Sequence, residues 1–205
     1  MKKYKTRNIQ LKRFYLCNHL YFVTTTTEDR IQVFEDEKNV LILLGAIREY
    51  SHRHAVKIHA FVVLPDHVHL LVTPTTDAFT ISDFMRGIKG RSAIEINRRA
   101  GTVKTSSVEP STVETVPTNN CRHEFIRAKE FIRADRANAK TCIWQHQFLD
   151  HVVRNNEDYR LHIEYIHNNP VKHNLCRGPE EYRWSSYHHY MYDEDVLIPI
   201  AKLPL

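Results

Sequence analysis

The chain has only four cysteines in 205 residues, Cys17, Cys121, Cys142 and Cys176, and no two stand in a Cys-x-x-Cys spacing. That scarcity excludes a zinc ribbon and a disulfide framework, and it suits reduced thiols in a cytoplasmic protein. Long apolar runs are missing too. The longest aliphatic stretch, Val40-Leu-Ile-Leu-Leu44, falls far short of the ~20 residues that a membrane-crossing helix needs, so no membrane partner is expected. The first 13 residues contain no acidic side chain, while Lys2, Lys3, Lys5, Arg7, Lys12 and Arg13 lie among them. Polar residues follow rather than an apolar segment, so no secretory leader is expected.

What is present is a modest basic excess, 29 Lys and Arg against 24 Asp and Glu, for a net charge of +5. A second basic cluster comprises Arg86, Lys89, Arg91, Arg98 and Arg99. This balance suits a polyanionic partner without requiring one. The length allows one domain with a real core and room for an insertion.

The β-branched and aromatic run 20–27 reads as a strand, and Val40, Leu43, Leu44, Ile47 and Tyr50 recur at helical spacing over 37–52. Residues 57–64 and 67–73 read as two strands of a hairpin joined by a tight Leu-Pro-Asp turn. Thr80 and Asp83 form a capping-box signal for a second amphipathic helix carrying Ile81, Phe84, Met85 and Ile88. Residues 101–120 are rich in Thr, Ser, Val and Pro, and Glu124-Phe-Ile-Arg-Ala128 recurs as Glu130-Phe-Ile-Arg-Ala134. Residues 101–140 therefore read as a mobile insertion, which leaves 1–100 and 141–192 as one domain and 193–205 as a tail. A strand is expected within 147–153. A helix capped by Asn155 follows, and Pro170 is expected to end it. The resulting order, strand, helix, strand, strand, helix, strand, helix, predicts an α+β, ferredoxin-like (split βαβ) antiparallel sheet. Two helices would cover one face and the last helix the other.

Within that frame His67-Val68-His69 stands out. Side chains alternate along a strand, so Val68 points to the core while the two imidazoles share the opposite face as a pair of divalent-metal ligands. With 14 histidines in the chain, about one His-x-His is expected by chance, so context must carry the inference. The other pair, His52 and His54, lies at the polar end of the first helix and reads as a solvated terminus. At ~100° per residue, the last helix aligns Asp158, His162, Tyr165 and Asn169 in a polar stripe, beside an apolar flank of Tyr159, Ile163 and Ile166. Tyr165 and Asn169, one turn apart, can reach the same phosphate. Tyr159 lies on the packing side.

The segments Leu64-Pro-Asp-His-Val-His-Leu-Leu71, Trp144-Gln-His-Gln-Phe-Leu-Asp-His-Val-Val-Arg154, Asp158-Tyr-Arg-Leu-His-Ile-Glu-Tyr-Ile-His-Asn-Asn-Pro-Val-Lys172 and Tyr182-Arg-Trp-Ser-Ser-Tyr187 occur in this order. Together they resemble the single-tyrosine HUH transposases, most closely the REP-associated tyrosine branch. The resemblance implies His67, His69 and Asn169 as ligands of Mg2+ or Mn2+ and Tyr165 as the nucleophile. It further implies a single-stranded DNA partner with hairpin ends, cut and rejoined through a 5′-phosphotyrosine without a nucleotide cofactor. Both a homodimer and a monomer fit it. Asp158, His162 and His151 would neighbour the site. Lys12, Arg13, Arg86, Lys89, Arg91, Arg98 and Arg99 would hold backbone phosphates. Trp184 and Tyr187 would stack on bases, or else pack over the sheet. Asn174 replaces the branch's usual glycine and is expected to keep its left-handed cap. The rival reading is a non-catalytic single-stranded nucleic-acid-binding protein on the same fold, although the aromatics such a sheet would use are absent where His67 and His69 stand. A third is a hydrolase using water in place of the tyrosine.

Overall fold

The computed structural model describes residues 15–101 and 142–203, so the expected insertion and the basic residues Lys12 and Arg13 lie outside the described residues. The main elements are β1 (Tyr21–Thr26), α1 (Glu37–Arg53), β2 (Val56–Val63), β3 (His67–Pro74), α2 (Ile81–Arg99), β4 (Leu149–Val152), α3 (Asn156–Lys172) and a short α4 (Tyr187–Tyr192). The strands form one sheet in the order β2-β3-β1-β4, antiparallel at every step. This is the expected ferredoxin-like arrangement. Among the described residues no helix is long and apolar enough to cross a membrane.

Strand alternation divides the core in two. Tyr21, Val23, Val56, Ile58, Phe61, Val63, Val68, Leu70 and Val72 face α1 and α2, where Leu43, Ile47, Phe84, Met85 and Ile88 close the larger cluster. Close approach of those helices requires Gly87, since a Cβ there would collide with the Tyr50 ring of α1. α2 begins as anticipated: Thr80 Oγ1 accepts from the Asp83 amide, and Asp83 Oδ2 accepts from the Thr80 amide. The opposite face carries Phe22, Ala60, Val62, Leu64 and Leu71, and Tyr159 and Ile166 of α3 dock on it.

Two expectations are corrected. Pro170 does not end α3, which runs on to Lys172. A proline inside a helix forfeits its own N–H bond, but the carbonyls of Asn169, Pro170 and Val171 still receive the amides of His173, Leu175 and Asn174. Asn174 takes the left-handed conformation there, with φ 57°. Nor is the end of α1 simply solvated: His54 is buried and stacks on Phe79 with ring centres 4.3 Å apart, and burial lowers its pKa.

The tail returns to the outer edge of β2. Ser185 bridges Val62, Ile200 bridges Ile58, and the Ala201 amide donates to the Ile58 carbonyl. Buried polar groups secure this seam. His59 Nδ1–H donates to the Ala201 carbonyl while its Nε2 accepts from Thr73, and Tyr190 donates to the His59 carbonyl. Ser186 Oγ accepts the Phe61 amide and pairs with His167 of α3 at 2.9 Å. The tail thus braces α3 against β2, a contact no local pattern announces.

Candidate active site

β3 places His67 and His69 on the face covered by α3, each 4 % exposed, with ring centres 5.0 Å apart. Opposite His69 on β1 stands Thr24, whose Oγ1 lies 2.8 Å from His69 Nδ1. With the proton on Nδ1 this contact turns the Nε2 lone pair into the site, where that buried atom has no hydrogen-bond partner. His67 Nδ1–H donates to Asp66 Oδ1 at 2.5 Å, which also leaves Nε2 free to act as a donor atom. Asp66 in turn binds Arg30 at 3.2 Å. Arg30 itself holds a left-handed φ of 56°, uncommon for a bulky residue, in the turn after β1.

α3 supplies the opposing groups. The Tyr165 ring centre is 5.3 Å from that of His69 and 5.9 Å from that of Phe22, and the residue remains 40 % exposed. One turn later Asn169 is 1 % exposed, and neither of its amide atoms has a partner. Two orphaned polar groups, His69 Nε2 and the Asn169 amide, therefore sit on facing elements. Such groups are costly to bury unless something binds them. A His2Asn donor set fits a divalent ion with open positions rather than a closed zinc site. Among the described residues no three His, Cys, Asp or Glu side chains are already gathered around one point.

Phe22 forms the floor between this pair and a second one. His162 Nδ1–H donates to the Asp158 carbonyl, so its Nε2 accepts from His151 Nε2–H at 2.7 Å. Both rings lie on Phe22, at 5.3 Å for His151 and 4.7 Å for His162. Asp158 also caps the preceding turn by accepting the Arg154 amide.

Electrostatics keep the imidazoles neutral. Burial pushes His69 down to about 3, with its neighbours His67 and His173 adding to the effect. Desolvation also lowers His67, which Asp66 partly offsets, and it takes His167 down to about 4. Neutral imidazole is the ligating form. The same shifts predict acid lability. These groups stay unprotonated in the native state, whereas in the unfolded chain they take up protons near the ordinary value of ~6.5. Their stabilising contribution is complete above that value and is lost as pH falls towards 4 and 3. Each imidazole held neutral contributes a slope of about 1.4 kcal/mol per pH unit within its window. Urea melts at steps from pH 7.5 to 4 should show the unfolding free energy falling below pH 6.5, and a flat profile there would refute this.

The expected basic patch is not gathered here. All five cations of α2 lie on the helical side of the sheet, away from His67. Arg86, Arg91, Arg98 and Arg99 pair with Asp83, Glu49, Glu95 and Asp36, and Lys89 donates to the carbonyls of Gln145 and His146. Trp184 packs against the main core, with Arg183 over its ring at 4.3 Å. Tyr187 meets His167 edge-on. The groups beside the site are others: Arg30, Lys172, whose Nζ is 5.3 Å from the Tyr165 ring centre, and His173, 5.1 Å from His67. Lys172 and His173 lie two turns beyond Tyr165, so extending the helical stripe past Pro170 would have found them.

The sequence and the fold have known counterparts. The family described as "Transposase IS200 like" matches residues 15–113. A REP-associated tyrosine transposase of Escherichia coli is 26 % identical over 180 residues, covering 87 % of this chain and 82 % of that protein. A putative REP-associated tyrosine transposase of Haemophilus influenzae is 24 % identical over 171 residues, covering 82 % and 80 %. This chain is similar to REP-associated tyrosine transposases over most of its length. A solved REP-associated tyrosine transposase bound to a REP hairpin shares the fold, with a TM-score of 0.60 and 22 % identity across 98 % of this chain and 93 % of that one.

Proposed function

We propose that this chain is a transposase that cleaves and rejoins single-stranded DNA at hairpin-bearing ends, with Tyr165 as the nucleophile. The observation that carries this reading is the meeting of the Tyr165 ring with His69 at 5.3 Å, beside the unpartnered Asn169 amide. His67, His69 and Asn169 would hold the divalent ion, Mg2+ or Mn2+. When bound, that ion supplies Lewis-acid stabilisation of charge on the scissile phosphate.

The chain's own residues do the rest. A phenol is a weak nucleophile, so it must be held in line with its target. The Phe22 floor and the α3 backbone hold it. Tyr165 Oη attacks phosphorus, the P–O3′ bond breaks, and the 5′ end stays on the protein as phosphotyrosine while the 3′ oxygen leaves as a hydroxyl. The phenolic proton passes to solvent as the new bond forms, and the departing 3′ oxygen takes one up from solvent, so the exchange balances. Attack by a 3′-hydroxyl on the phosphotyrosine reverses the step, and no nucleotide cofactor is needed because the bond energy is kept in the covalent link. Lys172, over the Tyr165 ring, adds positive charge where the phosphate must sit. The hairpin is proposed as substrate because the relative of this fold was solved with one.

Incubating the full chain with end-labelled, hairpin-bearing single strands and Mn2+ or Mg2+ tests the proposal. A denaturing gel should show a cut strand together with a protease-sensitive protein–DNA adduct, both absent with chelator. Binding without any cleavage would favour a non-catalytic binding protein. Cleavage without an adduct would mean that water replaces the tyrosine.

A further inference from the structure

His173 caps α3 one turn beyond Asn169, and its ring centre lies 5.1 Å from that of His67, at an interplanar angle of 63°. The His67–His69 pair shows nearly the same separation, 5.0 Å at 83°. Two imidazoles that share an ion through bonds of ~2.1 Å, at angles between square and tetrahedral, have ring centres roughly 4.5–5.2 Å apart. Both separations fall in that interval.

We propose that His173 is a third imidazole donor to the ion held by His67 and His69, and that the site prefers Mn2+ and Co2+ over Mg2+. The inference rests on the reading of His67 and His69 as metal ligands. His173 is exposed at the helix terminus, and its backbone amide is bonded to the Asn169 carbonyl. The backbone is thus fixed while the ring is free to turn inward about its side-chain bonds, which is how three rings not yet converged come to share one ion. The carboxyl end of α3, with its partial negative charge, lies beside the same pair and favours a cation there. Three nitrogens and an amide form a nitrogen-rich set, and the nearest carboxylate, Asp66, is engaged behind His67 with Arg30. Mg2+ selects oxygen donors and holds its water, whereas first-row ions accept nitrogen donors with affinity rising from Mn2+ to Co2+.

The test uses the full chain stripped with EDTA, titrated with Mn2+ and followed by the paramagnetic resonance of the free ion. Co2+ is titrated separately and followed by visible absorption. His173→Ala should weaken both ions at least about tenfold. Its thermal midpoint in EDTA should not move, since the ring is exposed. His67→Ala should remove binding altogether, and Mg2+ should displace Mn2+ only in large excess. If His173→Ala binds like the unsubstituted chain while His67→Ala does not, His173 is no ligand and the two-histidine reading survives. If both variants bind normally, that reading falls as well. Displacement of Mn2+ by an equal concentration of Mg2+ would overturn the stated preference.

Discussion

Tyr165→Phe is expected to abolish the covalent protein–DNA adduct and to lower strand cleavage on the order of 10^3-fold or more, since the oxygen that would carry the covalent link is removed. Single-strand binding should stay within a few-fold. The substitution removes one oxygen and leaves the ring, which meets His69 and Phe22 edge-on and keeps both contacts. The variant should therefore fold and melt like the unsubstituted chain. The pair of measurements is a denaturing gel for adduct and cut strand, and a native shift or polarisation titration for binding. An undiminished adduct would remove Tyr165 from the chemistry. Tyr159, the other tyrosine of α3, does not compete for the role, because it is buried and hydrogen-bonded to Tyr190 at 2.9 Å.

Asn169→Leu should separate function from stability in opposite directions. The amide of Asn169 is buried with neither atom paired, and such a group costs about 1–3 kcal/mol to keep. Leucine has nearly the same volume and brings no polar atom, so in EDTA the variant should gain about 1–2 kcal/mol in unfolding free energy. Metal-dependent cleavage should fall to background, because leucine removes the amide oxygen proposed as a ligand beside His67 and His69. Urea melts of metal-free protein, set beside the cleavage assay, decide the matter. A destabilised variant that still cleaves would show that the amide is structural and plays no part in the reaction. The same comparison explains why a protein would tolerate this orphan: polar groups left unpaired in a folded core tend to mark places where binding, not stability, sets the residue.

Much of the candidate site was legible along the chain. His67 and His69 fall on one face because strand side chains alternate, and Val68 between them is buried in the main core as that rule requires. Tyr165 and Asn169 share a helical stripe, Thr80 and Asp83 form their box, and Asn174 takes its left-handed cap. Each of these follows from backbone periodicity or a bond spanning a few residues. The Pro170 expectation failed for an equally physical reason. Proline forfeits a single amide bond, and the carbonyls around it found donors in the following turn, so Lys172 and His173 were carried onto the site side of α3.

By itself, then, the sequence determined the layers, the two imidazoles of β3 and the stripe of α3, because periods of 2 and 3.6 residues are imposed by local backbone geometry. Tertiary structure alone decided that α3 lies across that strand, that Thr24 orients the His69 ring, and that the cations of α2 lie on the far side of the sheet. It also decided that the tail returns to brace β2. These outcomes depend on contacts between residues tens to more than a hundred positions apart, such as Ser186 with Phe61 and His59 with Ala201. Packing settles such contacts once, for the whole molecule, and no local pattern records them.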